Sequence, residues 1–393
     1  MSVVSSTLRI MSGWLRNTQV LVEQAALYRE LAERGELRAL SRAVMRAACA
    51  NGSMTGVGVE NMDLLRALPD GDRAELAALW AEWHAHVEDD WTAGEFRRDL
   101  DYLRTELLMA ASGVARGLDD DPMAAERGSQ LALLGDQYVV WSSHRIWELV
   151  DAELTTGRIP DPAVLAAFRR TIAAATLPGL RRTYSAANAA EPALRALMER
   201  WPGPVLNSGE PWAEQALREA AVRGETWLRL LAHAAPPTAS APSATWRRTA
   251  VALIAEIGPN AVRAAVPRWF ESAALARTVP LVGHPHLPFD VNTCFDAYNS
   301  HVLRGLAWTL SLLPTGPDIV DALVGLVETS MEQRSGDVPR APHVAEAGIV
   351  ALALTGDVAA RAELETLRGW VTHKGTLLRV DKALGGTWTL VGR

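Results

Sequence analysis

Cysteine is nearly absent: Cys49 and Cys294 are the only two, far apart and without CxxC or Cys/His spacing around them. This rules out a disulfide framework, argues against a structural zinc site and fits a reducing, cytoplasmic setting. Runs of valine, isoleucine, threonine and aromatic residues of the kind that pack a sheet are scarce. Alanine and leucine dominate instead, so local propensity leans toward helix. No apolar run approaches the roughly 20 residues needed to span a bilayer. Met1–Val22 carries Arg9 and Arg16 and no unbroken apolar segment before a small-residue cleavage site, so no secretory signal and no membrane partner are expected. Also missing are a GxSxG elbow, a P-loop, a dinucleotide GxGxxG and an HExxH pair.

What is present suits a folded chain. With 393 residues, 49% of them hydrophobic and 22% charged, there is length for two domains or one extended solenoid. The net charge of −7 is uneven: Glu82–Asp121 holds eleven acidic and four basic residues, whereas Arg158–Arg200 holds seven arginines against three acids. A basic shoulder containing Arg169, Arg170, Arg181 and Arg182 could meet a nucleic acid, but the overall surplus of acid argues against that as the main role.

Leu21, Ala25, Tyr28 and Ala32 share a helical face that Gly35 interrupts. Cys49–Gly58, rich in glycine, reads as a loop. Leu76, Trp80, Trp83 and Val87 form the next apolar stripe, followed by Leu100, Leu103, Leu107, Ala111 and Val114. The acidic turn Asp119–Pro122 suits a helix N-terminus, and a helix is expected from about Ala124 to Leu154. The Pro/Gly-rich stretch between Arg200 and Glu210 marks a junction, giving an N-terminal helical domain (1–203) and a second domain (204–393). Pro236–Ser243 is expected to be a surface loop.

A repeat emerges after Ala244. Trp246–Gly258, Leu303–Leu313 and Val344–Gly356 are apolar helices rich in small residues. They lead into turns at Gly258-Pro259, Gly316-Pro317 and Gly356-Asp357, and then into amphipathic helices at Ala261–Leu275, Asp318–Met331 and Val358–Val371. The turns are separated by 58 and 40 residues, bracketing the HEAT length of about 40–47, with an inserted loop at Val279–Phe289 in the longer interval. A lone hairpin cannot bury its apolar face and must stack on its neighbours. The expected fold is all-α: a HEAT-like α-solenoid of stacked helical hairpins with an N-terminal helical bundle.

Five segments carry a resemblance: Gly209-Glu-Pro-Trp212, His233–Trp246, Asn299–Trp308, Val338–Val344 and Leu364–Lys374. In this order they resemble the helical region of the WGR-associated, molybdate-metabolism-regulator-like bacterial proteins, over residues 205–385. The resemblance implies a regulatory or scaffold role and brings no catalytic residues. Those relatives continue past the segment matching Asp381–Gly385 into a further domain, and no WGR module is legible in residues 1–200, so activities of those parts do not carry over.

Two constellations could line a site. His284-Pro-His286, with Asp290 and Asn292 after it, could ligate a divalent metal if the loop folds back, or could be solvated histidines over the helices. In Trp141-Ser-Ser-His144-Arg145-Ile-Trp147 polar residues interrupt apolar context, which fits a cavity wall or an exposed face between two anchoring tryptophans. His84 and Glu88 share a helix face, as a metal pair or a simple contact. The 14 tryptophans fall mostly on apolar stripes, as core or, in a groove, as binding anchors. Together these features predict a cytoplasmic helical-repeat scaffold that binds a protein or peptide partner on its concave face, without a cofactor. The alternatives are an enzyme of a small-molecule or peptide-modifying pathway, with a pocket between helices, and a HEAT-type nucleic-acid binder.

Overall fold

The computed structural model describes residues 23–51, 58–87, 100–140, 147–176, 195–235, 240–283, 287, 289–335 and 338–386, and these are overwhelmingly helical. The chain divides into two compact units. One comprises Met1–Leu133, Ser142–Asp161 and Ala189–Pro202; the other comprises Leu134–Trp141, Pro162–Asn188 and Gly203–Arg393. The second unit thus reaches back beyond residue 204. Among the described residues no single helix is long and apolar enough to cross a membrane.

The helices of the first unit are α1 (23–33), α2 (Leu37–Asn51), α3 (Gly58–Arg66), α4 (Asp70–Ala85), α5 (Leu100–Ala115), α6 (Ala124–Gly135), α7 (Trp147–Thr155) and α9 (195–200), with the end of α6 passing into the second unit. The expected stripe Leu76, Trp80, Trp83 and Val87 is buried, as are Leu103, Leu107, Ala111 and Val114. Helix α5 takes α2, α3, α4 and α7 around it. Its small buried residues Ala110, Ala111 and Ser112 allow close approach. Two arginines satisfy carbonyls at its C-terminal end: Arg66 Nε donates to Gly113 O and Arg73 Nε to Val114 O, both at 3.0 Å. Fully buried Arg127 ties α5, α6 and α7 by donating to Ser112 Oγ, Asp121 and Glu153.

Two expectations need correction here. The loop expected from Cys49 starts later, because α2 continues to Asn51. The single helix expected over Ala124–Leu154 is two helices: α6 ends at Gly135 and α7 starts at Trp147. The break has a long-range cause. Residue Asp136 O accepts from Val282 N at 2.7 Å and Tyr138 N donates to Val282 O at 3.0 Å, so the chain leaves the helix to pair with a distant strand-like segment.

The second unit contains α8 (Pro162–Thr176), α10 (Pro211–Arg223), α11 (Glu225–Ala234), α12 (Ala244–Ile257), α13 (Pro259–Ala273), α14 (Ala297–Leu310), α15 (Pro317–Met331), α16 (Pro342–Thr355), α17 (Val358–Trp370) and α18 (Lys374–Leu384). The six helices legible in the repeat are therefore present, five of them to within about two residues at each end, whereas α14 starts at Ala297, six residues before its expected start at Leu303. Between α15 and α16, β1 (Gln333–Ser335) runs antiparallel to β2 (Val338–Pro339), pairing Gln333 with Pro339 and Ser335 with Val338. The described end of the Pro236–Ser243 segment, 240–243, is non-helical, and Ser243 Oγ caps α12 by accepting from Trp246 N at 3.1 Å.

Packing follows chain order in two ways. Helices α10/α11, α12/α13 and α16/α17 pack as pairs, and α13, α15 and α17 pack in succession, as do α14, α16 and α18, so from α13 onward odd and even helices form separate layers. Helix α10 joins the odd layer through α13 and α11 the even one through α14, and α15 packs against α16 rather than against α14. A continuous apolar core runs between them, including Trp212, Trp269, Trp308, Leu306 and Ile349. Glycines set the spacing. A Cβ at Gly305 would lie 2.3 Å from Ala234 O, which holds α14 tight against the end of α11. Gly316 has extended backbone that any residue could adopt, but a Cβ there would meet Arg263 Nη2, so it is small for contact rather than for conformation. By contrast Gly258 (φ 98°) and Gly356 (φ 66°) turn the chain through a region that L side chains avoid.

Candidate functional site

The deepest polar cluster of the second unit is structural. Asp296 caps α14, its Oδ1 accepting from Tyr298 N at 3.0 Å and Asn299 N at 3.2 Å. The same oxygen accepts from Asn207 Nδ2 at 3.0 Å, and Oδ2 accepts from Arg170 Nη1 at 3.2 Å. Arg170 also donates to the carbonyls of Gly135, Gln137 and Tyr138, stitching the α6 break to α8. Glu210 accepts from Asp296 N, Asn299 Nδ2 and Trp212 Nε1, with Arg277 Nη1 3.7 Å away. Burial, then the neighbouring Asp296 carboxylate, pushes the Glu210 pKa up. Arg170, Asp296, Glu210, Asn207 and Asn299 are all buried, so the cluster offers a ligand no entry.

This accounts for part of the basic shoulder. Arg170 is interior, and Arg169 donates to Pro204 O at 2.6 Å while lying 5.0 Å from the Tyr298 ring centre. Neither presents its charge as a phosphate contact requires. Arg181 and Arg182 lie outside the described residues.

The same holds for most of the expected site. His284, His286, Trp141, His144 and Arg145 lie outside the described residues, whereas Asp290 and Asn292 lie inside them. Asn292 clamps its own loop, accepting from Leu281 N at 2.7 Å and donating to Leu281 O at 2.9 Å, and Asp290 Oδ1 accepts from Asn292 N at 2.9 Å. Asn292 therefore spends both ends of its amide on holding the backbone. Among the described residues no cluster of His, Cys, Asp or Glu is arranged to hold a metal ion.

The structure instead brings together a half-buried seam on the even-helix layer. His301, Arg304 and Trp308 on α14 face His343 and Glu346 on α16, with Arg379 of α18 donating to Glu346 Oε2 at 3.1 Å. Two hydrogen bonds set the imidazole tautomers. Arg304 Nη1 can only donate, so His301 Nδ1 accepts it at 3.3 Å and the His301 proton sits on Nε2. Ser300 Oγ donates to Ala297 O at 2.7 Å, so it accepts from His343 Nε2 at 2.8 Å. A general base facing this serine would need a lone pair on that nitrogen, and the hydroxyl is fully buried, so the pair is not an activated nucleophile. Burial, then the Arg304 charge, brings the His301 pKa down to about 4. Burial, His301 and Arg304 hold His343 well below its ordinary value. Burial brings Arg304 down to about 10. Beyond Trp308, Trp246 meets it edge-on at 5.6 Å and stacks on His233 at 4.9 Å.

On the odd-helix layer a groove of about 380 Å³ opens between α13 and α15. Pro267 and Ala322 form its half-buried apolar wall, over a floor of Phe270 and Leu326 that is 3% and 1% exposed, and Glu271, Asp318, Asp321 and Thr329 border it. Asp318 is neutralised by Arg263, whose Nη1 also donates to Pro314 O at 2.7 Å. In the first unit a smaller cleft of about 230 Å³ is bordered by Arg66, Arg116 and Arg200, and there Asp151 pairs with Arg116 at 2.5 Å and Arg200 at 2.6 Å.

Sequence reasoning missed both the seam and the groove. A signal for the seam existed: His301 and Arg304, and His343 and Glu346, are ionisable pairs at i, i+3, and no other ionisable histidine, arginine, lysine or carboxylate lies inside either helix. Comparison of the chain with protein-family models, with curated proteins and with solved structures finds no match.

Proposed function

We propose that the second unit is a HEAT-like stack of helical hairpins, akin to the helical region of the WGR-associated proteins, that works as a scaffold for a protein or peptide partner. The observation that carries this reading is the solvent-open groove between α13 and α15, with an apolar lining and charges confined to its rim. Such a profile is that of a recognition surface, in which an apolar centre supplies affinity and a polar rim supplies register. In a stack of hairpins the small rotation per repeat makes one face concave, and the scaffold reading takes the odd layer, where the groove lies, as that face. The committed hydroxyl of Ser300 supports binding over chemistry on the opposite layer.

The test is capture with the full-length chain from its native host, followed by size-exclusion chromatography of the two purified components. A complex of fixed stoichiometry is the expected result. If nothing co-purifies and a small molecule raises the unfolding temperature instead, the scaffold reading gives way to an enzyme with a pocket.

A further inference from the structure

We infer that the α13/α15 groove receives a cationic amphipathic helix from the partner; this rests on the scaffold reading and names the partner's chemistry and its seat. The charge argument is directional. Arg263 neutralises Asp318 at one end, but Glu271 and Asp321 are exposed and have no ion-pair partner among the described residues. Glu328, seven residues beyond Asp321 on α15, is exposed as well, and α15 contains no basic residue. Negative charge therefore accumulates along the groove away from Arg263. Just past the end of α13, Leu275 is 57% exposed.

Two residues that line the groove are costly to their own helices. Pro267 lies inside α13, where it cannot donate the i to i−4 hydrogen bond. Gly325 lies inside α15, where glycine is a poor helix former, and a Cβ added there would meet nothing within 4 Å. No contact within the chain explains that glycine. Space for an incoming side chain does.

An acidic helix would be repelled by this rim. A neutral apolar one would desolvate Glu271 and Asp321 without pairing them, which is costly. A small polycation would pair the carboxylates but leave Pro267, Ala322 and the space over Gly325 unused. A helix with apolar residues at i, i+3 or i+4 and i+7, flanked by lysine or arginine, satisfies both the lining and the rim.

The experiment is selection from a phage-displayed library of random peptides of about 16 residues, roughly four helical turns, on the full-length chain, with the Gly325→Trp chain as counter-target. Enriched peptides should be basic with helical apolar spacing. Synthesised singly, they should bind at least about tenfold more weakly, or ~1.4 kcal/mol, to Gly325→Trp, and to the surface double variant Glu271→Lys/Asp321→Lys, whose circular dichroism should match the wild type. Peptides that bind wild type and both variants equally would overturn this seat and leave the scaffold reading standing. Acidic or non-periodic winners would overturn the partner chemistry. No enrichment at all would overturn both.

Discussion

Lowering the pH puts the seam under a test with a calculable size. The His301 imidazole has a folded-state pKa of about 4 against an ordinary 6.5, so between those values the unfolded chain binds more protons than the folded one. Its contribution is fully present above 6.5 and is lost as the pH falls toward 4. At ~1.4 kcal/mol per pH unit the whole displacement is worth about 3 kcal/mol, of which about 2 is already gone near pH 5. His343 acts in the same direction. The groups facing the pair are Arg304 from α14, Glu346 from α16 and Arg379 from α18. Glu210 works the other way, because its raised pKa favours the folded state as the solution becomes acidic. A difference measurement removes that background. His301→Asn places an amide oxygen where Nδ1 accepts from Arg304 and cannot titrate. Urea unfolding of wild type and variant, followed by circular dichroism between about pH 7 and pH 5, should show wild type losing about 2 kcal/mol more than the variant over that range. Parallel profiles would refute the buried neutral imidazole.

Gly325→Ala should stabilise the chain by roughly 0.5–1 kcal/mol, read as a higher unfolding temperature, because the added methyl meets open space and helix propensity improves. Asp296→Asn should cost about 3–5 kcal/mol, since it leaves Arg170 buried with backbone carbonyls alone; an unchanged urea midpoint would refute the pair's part in holding Arg170 inside. Gly305→Ala should cost about 1–3 kcal/mol by forcing α14 from α11, and the same assay shows whether the contact relaxes instead.

Much of the second unit was legible because its signals are local. Glycine or Gly-Pro turns and small-residue periodicity delimited α12/α13, α15 and α16/α17 to within a few residues. Only α14 began well upstream of its expected start, at an Asp296 cap that the apolar pattern does not report. The break after Gly135 was not legible, because what ends the helix is a backbone pairing with Val282, and no residue near 135 announces a partner that far along the chain. Arg170 shows the same limit in reverse: in sequence it belongs to a basic shoulder, in space to Asp296. Asn292 was picked out for its polar type, yet that type serves to hold Leu281 in place. The groove was invisible for a further reason: Gly325 and Pro267 are informative only once each is known to lie inside a helix, Gly325 with open space in front of it.

The Arg170–Asp296 pair spans 126 residues, and that span bears on how the chain folds during synthesis. Every segment of the first unit has been made by Pro202, so that unit can close early. Residues 134–140 and 162–176 then wait, already synthesised, until Asp296 and α14 emerge. Contacts of such long separation slow folding, and a waiting segment exposes apolar surface meanwhile. Until then the Arg170 guanidinium has no Asp296 carboxylate to pair with. A fragment starting at residue 204 would never receive that charge, and Asp296 and Glu210 would be buried in it with only Arg277 nearby.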